Sequence, residues 1–307
     1  MKLAVPDLIS NSYLPAVAAV ELGFFAKEGV DVALELIFPV DRAYRALAEG
    51  TVDFVAGSAH SALSAFPRWI GAKLLCAQSQ GMYWFLVMHA DLKARRGDLA
   101  VVKGRHIGAA PWVDLALRHV LIDAGLDLAR DRITIAPVPG ASHASVNFGL
   151  AAAKALEERK IDGFWANGMA TEVAVRRGVG TLVLDVRRGD GPPGAFNYTA
   201  ASLAATDRLI ATAPGVAAAA VRAIVATHRA LRRDPDQARA VGRRLFPPME
   251  AELIAELVRR DLPFYDAAIG EDLIAGMNRF ALKAGILDRD VGYGEVVAQH
   301  LRPLWAD

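Results

Sequence analysis

The amino-acid sequence predicts an α/β protein made of two lobes, with a helical region at its C-terminal end. Segments with strand and helix patterns alternate over residues 2–89, and the alternation restarts over residues 105–186. The predicted strands end in loops of small polar residues, which open the following helices. This order is typical of mainly parallel sheets covered by helices. With 307 residues, the chain is long enough for two such units.

The first block begins with a strand over residues 2–5, which Pro6 closes. A helix is predicted over residues 15–27, because apolar residues recur there at helical spacing and Gly29 supplies a stop signal. The same two patterns continue along the block. They predict strands over residues 30–38, 52–56, 73–77 and 84–89, and helices over residues 41–49 and 61–70.

The second block follows a charged, turn-rich passage at residues 95–104. Its patterns predict strands over residues 105–109, 133–138, 162–166 and 181–186, and helices over residues 115–124, 146–159 and 171–177. After a glycine- and proline-rich break, the patterns predict a strand over residues 197–204 and then mostly helices, from Pro214 to a last one over residues 294–305. We therefore assign residues 1–89 and 199–307 to the first lobe and residues 90–198 to the second. A cleft between two lobes is a natural ligand site.

Composition excludes several classes of function. The chain has 35 basic and 34 acidic residues, and this balance creates no field that would attract nucleic acid or an anionic membrane. Cys76 is the only cysteine, so neither an internal disulfide nor a cysteine metal site is possible, and its apolar surroundings predict a buried, unreactive thiol. No apolar run is long enough to span a membrane.

The first residues do not decide in which cellular compartment the protein resides. Met1 is followed almost at once by a strand pattern, and no signal-peptide pattern is visible in these first residues. We expect a periplasmic protein if a leader has been removed and a cytoplasmic one otherwise.

Two polar loops at strand ends supply the first candidate ligand contacts. The loop after the first strand offers Asp7, Ser10, Asn11, Ser12 and Tyr13, of which the last three are favoured, with helix capping as the alternative. The third strand runs into a second polar segment that contains Ser58, His60 and Ser61. Backbone N–H groups at such a junction meet ligand acceptors, although a lone histidine is as often structural.

Aromatic residues lie at predicted strand ends and at the two crossings between the lobes, close to polar ones. The candidates are Tyr83, Trp84, Trp112, Asp114, Trp165, Asn167, Asn197 and Tyr198. Aromatic residues more often belong to a core, and Asp114 has a helix cap or an i,i+4 pair with Arg118 as its alternative role. We interpret the set as a cleft walled by aromatic rings, in which polar groups fix the orientation of the ligand.

Motifs for catalysis and cofactors are absent. The sequence contains no HExxH, GxSxG, P-loop or GxGxxG pattern, and its seven histidines show no spacing typical of metal ligands. We therefore expect no cofactor and no bound metal.

Four passages, in this order, carry a family resemblance: LGFFAKEGVDV at residues 22–32, ALAEGTVDF at 46–54, VKGRHIG at 102–108 and ALEERKIDGF at 155–164. The chain resembles the NMT1/THI5-like, SsuA/TauA-type substrate-binding proteins of ABC transporters, in the periplasmic-binding-protein-like superfamily. The resemblance implies a type II fold with a hinged cleft, a small organic ligand and an ABC permease as partner. Anion-binding members place small residues where Trp112 stands, so the indole favours an aromatic or heterocyclic ligand over nitrate or sulfate.

The same resemblance offers an enzyme as the alternative. Members that act in thiamine-pyrimidine synthesis carry a lysine for pyridoxal phosphate before a histidine placed like His60, and a cysteine-rich run after the second lobe. Here Gly57 stands at the lysine position, and residues 195–199 contain no cysteine. This chemistry needs an amine and a thiol, so their absence removes most of the support for an enzyme. The alternatives are an enzyme of the thiamine-pyrimidine type, a decarboxylase or hydrolase of aromatic acids whose turnover depends on His60, and a cytoplasmic ligand sensor.

Overall fold

Two mixed five-stranded sheets form the centres of the two lobes, within residues 1–141 and 147–306, which the computed structural model describes. The strands are β1 (Lys2–Val5), β2 (Ala33–Leu36), β3 (Phe54–Ser58), β4 (Ala72–Ser79), β5 (Phe85–His89), β6 (His106–Ala109), β7 (Thr134–Ala136), β8 (Gly163–Ala166), β9 (Gly180–Asp185) and β10 (Ala201–Thr206). The first sheet has the order β2-β1-β3-β10-β4 and the second β7-β6-β8-β5-β9.

The sheets are covered by helices on the pattern that the sequence predicts. The helices are α1 (Leu14–Glu21), α2 (Phe24–Lys27), α3 (Val40–Ala48), α4 (Val113–Asp123), α5 (Phe148–Glu157), α6 (Gly168–Arg176), α7 (Asp207–Thr212), α8 (Pro214–Arg233), α9 (Gln237–Leu245), α10 (Pro248–Asp261), α11 (Glu271–Lys283) and α12 (Tyr293–Val296). In the C-terminal region α8 packs on α1 and α2, and α10 reaches across to α6. The predicted two-lobed α/β class with a helical C-terminal region is confirmed.

Both sheets follow one plan. In the first, β1 runs parallel to β2 and β3, while β10 is antiparallel to β3 and β4. In the second, β6 runs parallel to β7 and β8, while β5 is antiparallel to β8 and β9. Each sheet therefore contains one antiparallel strand, β10 in the first and β5 in the second, and β10 joins the first sheet after the chain has passed through the second.

One strand, β5, lies on the other side of the lobe boundary that the sequence predicts. The assignment of residues 1–89 to the first lobe places β5 there, whereas β5 pairs within the second sheet. The chain crosses earlier, over residues 80–84. The apolar run of β5 suits a central position in either sheet, and its pairing partners at β8 and β9 are distant in sequence.

The two crossing segments lie side by side. The backbone N–H of Met82 donates to the carbonyl of Phe196, at 2.9 Å. Gly81 has a φ of +68°, and a Cβ at this position would meet the ring of Phe196 at 2.4 Å. Only glycine fits this close approach, so the hinge region depends on it.

Local predictions differ from the structure where glycine and proline intervene. The helix expected over residues 15–27 is two helices, broken where Gly23 adopts a φ of +74°. The helix expected over residues 61–70 is instead two 3-10 segments, Ala59–Ser64 and Pro67–Trp69, because the residue before a proline disfavours helical angles. The strand expected from residue 197 begins only at Ala201, since Pro193–Tyr198 forms a 3-10 turn. The last predicted helix is α12 followed by a 3-10 segment. The sequence patterns predict that α5 begins at Val146, and this residue lies outside the described residues.

Cys76 is fully buried in β4, as expected, and burial raises the pKa of its thiol above the ordinary value. Over the described ranges, no helix combines the length and the apolar character needed to cross a bilayer.

Candidate functional site

A cavity of about 40 Å³ lies between the lobes, at the carboxyl ends of the parallel strands. Loops after β1 and β2 form one side, and those after β6 and β8 form most of the other. This is the position at which open α/β sheets bind ligands. The lining residues are Pro6, Asp7, Ser10, Tyr13, Phe38, Val40, Trp84, Ala110, Val113, Phe148, Trp165, Ala166 and Asn167.

Aromatic rings make up the walls of this cavity. Phe38 of the first lobe stacks on Phe148 of the second, with ring centres 5.7 Å apart and planes 23° from parallel. Trp84 and Trp165 pack against each other at 6.4 Å. Tyr13 completes the wall. Both lobes therefore contribute aromatic rings to the walls of the cavity.

Asp7 is the polar centre of the cavity. Its carboxylate accepts hydrogen bonds from the side-chain amides of Asn147, at 2.8 Å, and Asn167. The carbonyl oxygens of the two asparagines cap α5 and α6 by accepting from the N–H groups of Leu150 and Ala170. A first-lobe carboxylate thus faces the N-termini of two second-lobe helices, where the helix dipoles favour negative charge.

The surroundings of Asp7 oppose its ionisation. Burial raises the pKa of this carboxyl to about 6, although hydrogen bonds from Asn147, Ile9 and Asn167 act in the other direction. Burial costs the charged form its hydration, and within the described chain no cation stands beside the carboxylate to replace it.

Two buried polar atoms of the lining residues have no partner among the described residues: Ser10 Oγ and Trp165 Nε1. Ser10 is 1% exposed and Trp165 is fully buried. Leaving such groups unbonded costs free energy. They are the groups left to bond a ligand, the indole N–H as a donor and the hydroxyl as donor or acceptor.

A second buried carboxylate, Asp261, lies at the end of α10. It pairs with Arg187 Nη1 at 3.2 Å and Arg188 Nη2 at 2.7 Å, and it accepts from Asn11 Nδ2 at 2.5 Å. The side chains of Asp261 and Arg187 are fully buried. Burial by itself would raise the pKa of Asp261, but the guanidinium groups of Arg187, Arg260 and Arg188 outweigh it and hold the pKa below its usual range.

Comparison with known proteins agrees with this architecture. The model of the family described as NMT1/THI5 like matches residues 10–238. This protein belongs to the NMT1/THI5-like family. The resemblance predicted from four sequence passages is thereby confirmed. A search of curated proteins finds no match to this NMT1/THI5-like chain.

Solved structures share the whole fold. A protein of Bordetella bronchiseptica RB50 is 21% identical, with a TM-score of 0.77, over 99% of this chain and 96% of that one. The alkanesulfonate-binding protein SsuA from Xanthomonas axonopodis pv. citri, bound to MOPS, is 14% identical, with a TM-score of 0.71, over 98% and 96%. The desulfurization enzyme DszB, in a mutant complex with biphenyl-2-sulfinic acid, is 17% identical, with a TM-score of 0.65, over 99% and 98%. At these identities the likeness establishes the fold.

Four of the side chains predicted from sequence line the cavity: Tyr13, Trp84, Trp165 and Asn167. Three more predicted residues are buried but do not line the cavity: Tyr83, Asn11 and Ser12. Tyr83 shares a hydrogen bond of 2.5 Å with the phenol of Tyr13. Asn11 faces Asp261 instead of the cavity, and Ser12 is buried.

His60 connects the two lobes outside the cavity lining of this NMT1/THI5-like protein. Its Nε2 atom lies 3.0 Å from the carbonyl oxygen of Trp112, and burial lowers the pKa of its ring to about 4. Ser58 and Ser61 bond each other at 2.6 Å beside it. The three predicted polar residues therefore form a buried interlobe contact.

Trp112 and Asp114 lie on a different surface from the cavity. Their side chains line an outer groove together with Arg118, and Asp114 forms the i,i+4 pair with Arg118 at 2.8 Å. The backbone of Trp112 has a φ of +69° at the start of α4. Trp112 does not line the cavity, but its ring lies 6.4 Å from that of the buried His60, which in turn packs edge-on against Trp84.

Asn197 and Tyr198 pack on α11 instead of lining the cavity. Tyr198 stacks on Phe280 with ring centres 4.7 Å apart and donates to Asp123 of the second lobe. The β-carbon of Asn197 lies against Gly276. Both residues are near the second crossing, as the sequence suggests, but they serve packing between lobes.

Nine lining residues were not among those favoured from sequence, and four of them, Asp7, Ser10, Phe38 and Phe148, supply polar groups and aromatic walls. Asp7 and Ser10 lie in the loop singled out after β1, and the position of Asp7 directly after the first strand was a usable signal. Phe38 and Phe148 gave no such signal, because the sequence does not distinguish an isolated phenylalanine in an apolar segment from a residue of the hydrophobic core. No group of side chains suited to hold a metal ion occurs over residues 1–141 and 147–306.

Proposed function

We propose that this protein is a solute-binding protein that captures a small aromatic or heterocyclic molecule between its lobes and passes it to an ABC-type importer. The observation that carries the proposal is the interlobe cavity, to which both lobes contribute aromatic walls and polar groups. A ligand that touches both lobes at once favours the closed arrangement over the open one.

The size of the cavity supports a closing mechanism. An engineered protein cavity of about 150 Å³ holds benzene, whereas the one between these lobes measures about 40 Å³. An aromatic guest therefore enters only if the lobes separate at the two crossings. Separation breaks the stack of Phe38 on Phe148 and the bonds from Asn147 and Asn167 to Asp7.

The structural relatives support an importer as partner. SsuA of Xanthomonas is an alkanesulfonate-binding protein, and it shares the fold over nearly the whole chain. We accordingly place the protein in the periplasm, where its permease partner would meet it. Fractionation of cells that express the native gene tests this placement, and recovery with the cytoplasm would favour a ligand sensor.

Ligand binding is tested by thermal unfolding of the purified chain against aromatic acids, aromatic amines, pyrimidines and sulfonates. A ligand present at a hundred times its dissociation constant adds about 2.7 kcal/mol to the free energy of unfolding. Phe148→Ala should abolish or strongly weaken the effect, because it removes one wall of the cavity. Phe24→Ala is the matched control, since this ring lies on α2 beneath Lys27 and does not line the cavity. Absence of any stabilising compound, or equal effects of both variants, would contradict the proposal.

An enzyme on the same fold is the alternative, and the likeness to the desulfurization enzyme DszB is the observation that keeps it in view. His60, on which the alternative depends, lies outside the cavity lining and bonds the carbonyl of Trp112. This supports binding without turnover. Product formation from any stabilising compound that is lost in His60→Gln would favour the enzyme instead.

A further inference from the structure

The charge inside the cavity indicates which ligands it accepts. Among the described residues that line it, Asp7 is the one with a formal charge, and the others are apolar, aromatic or neutral polar. An anionic ligand would meet a carboxylate across a space of low dielectric, where repulsion is strong.

The helix N-termini that could hold an anion are already engaged. Asn147 and Asn167 cap α5 and α6 with their carbonyl oxygens and direct their amide hydrogens at Asp7. Asp7 thus stands where a ligand anion would accept hydrogen bonds from the second lobe. The amide N–H donors at this position are therefore already bonded to Asp7, a carboxylate of the protein itself.

What remains for a ligand is a carboxylate acceptor and two buried groups without partners. A carboxylate accepts about four hydrogen bonds. Oδ1 of Asp7 accepts from Asn147 and Ile9 and Oδ2 accepts from Asn167, and the backbone N–H of Ser10 adds a weaker interaction. Ser10 Oγ and Trp165 Nε1 are unbonded. An aromatic ring that carries an N–H donor, with an acceptor for the indole, complements this set.

We propose, building on the proposed function above, that the cavity selects a neutral or cationic aromatic molecule whose N–H group donates to Asp7, and rejects aromatic anions of the same size. The N–H group of the ligand meets the Asp7 carboxylate inside a cavity whose walls are mostly apolar. A charge-assisted hydrogen bond of this kind contributes about 1.5–3 kcal/mol.

The test uses three probes with one ring and one substituent position: benzamidine, benzamide and benzoate. Their dissociation constants for the whole chain are measured at pH 8 by calorimetry, with tryptophan fluorescence as a second readout. We expect benzamidine to bind about ten- to a hundredfold more tightly than benzoate, with benzamide between them. Asp7→Asn should reduce the affinity for benzamidine by at least about tenfold and leave that for benzoate equal or higher. Asp114→Asn removes a carboxylate of the outer groove and should leave the order unchanged.

The outcomes separate this inference from the function on which it rests. Tighter binding of benzoate than of benzamidine, or an order that Asp7→Asn does not alter, overturns the inference and leaves ligand capture standing. Failure of these probes and of every compound in the wider panel overturns the proposed function itself. If Asp7→Asn does not fold, the order of the three probes on the unsubstituted protein decides.

Discussion

Two aspartates between the lobes, Asp7 and Asp261, show how the same side chain serves different ends. Asp261 is fully buried and faces the guanidinium groups of Arg187 and Arg188. Asp7 receives only neutral donors, from Asn147, Asn167 and the backbone. The pKa of Asp261 lies below its ordinary value, and that of Asp7 rises to about 6.

The contrast separates a structural site from the proposed binding site. Opposite charges at Asp261 satisfy one another, so the network holds α10 to both lobes. At Asp7 the carboxylate is kept in an apolar cavity without a cation, at a cost in stability that a functional site tolerates. A group whose charge is not compensated within the protein is the one available to a ligand.

The largest effect should come from breaking the compensated pair. Asp261→Asn leaves the buried guanidinium of Arg187 without its counter-charge, and we expect a loss of about 3–5 kcal/mol in the free energy of unfolding. Urea denaturation at pH 7 measures it. Asp288→Asn removes an exposed partner of Arg68 and should change stability little. A small loss at Asp261 would mean that the arginines are satisfied by other groups.

The pH dependence of stability should differ in sign between the two aspartates. Because the folded-state pKa of Asp7 is raised from 3.8 to about 6, its contribution to stability is greatest at low pH and is lost as the pH rises through that range. The free energy of unfolding of Asp7→Asn minus that of the unsubstituted protein should rise by up to about 2 kcal/mol between pH 4 and pH 7.

Asp261 should show the opposite trend. Its folded-state pKa is lowered, so its contribution is present above the unfolded-state value and is lost as the pH falls through the folded-state value. Chemical denaturation of both variants across pH 3–8 gives the two slopes. Slopes of the same sign would remove the distinction drawn between the two sites.

The smallest effect compares two buried serines. Ser79 Oγ accepts a hydrogen bond from Arg187 in the Asp261 network, whereas Ser10 Oγ has no partner in the described part of the chain. Ser79→Ala should cost about 1–2 kcal/mol, and Ser10→Ala should be neutral or slightly stabilising in the absence of ligand. Equal losses would show that Ser10 is bonded within the free protein.

Local pattern was sufficient to predict the strands that frame the cavity and the loops that line it. The strand over residues 2–5 and its polar loop follow from apolar residues, Pro6 and capping side chains, which act over a few residues. Tyr13, Trp84, Trp165 and Asn167 were found from their positions at strand ends. Trp112 shares that position, yet it has a positive φ and its ring lies beside that of His60 instead of lining the cavity, which no spacing rule predicts.

By itself the sequence determined the α/β alternation, the helical C-terminal region and the family, because these depend on periodicity and on short passages in a fixed order. Only the tertiary structure decided that β5 joins the second sheet, and that Asp7 meets Asn147 and Asn167 across separations of 140 and 160 residues. Hydrogen bonds and charges act over a few ångströms of space, so their partners are fixed by how the lobes close and not by distance along the chain.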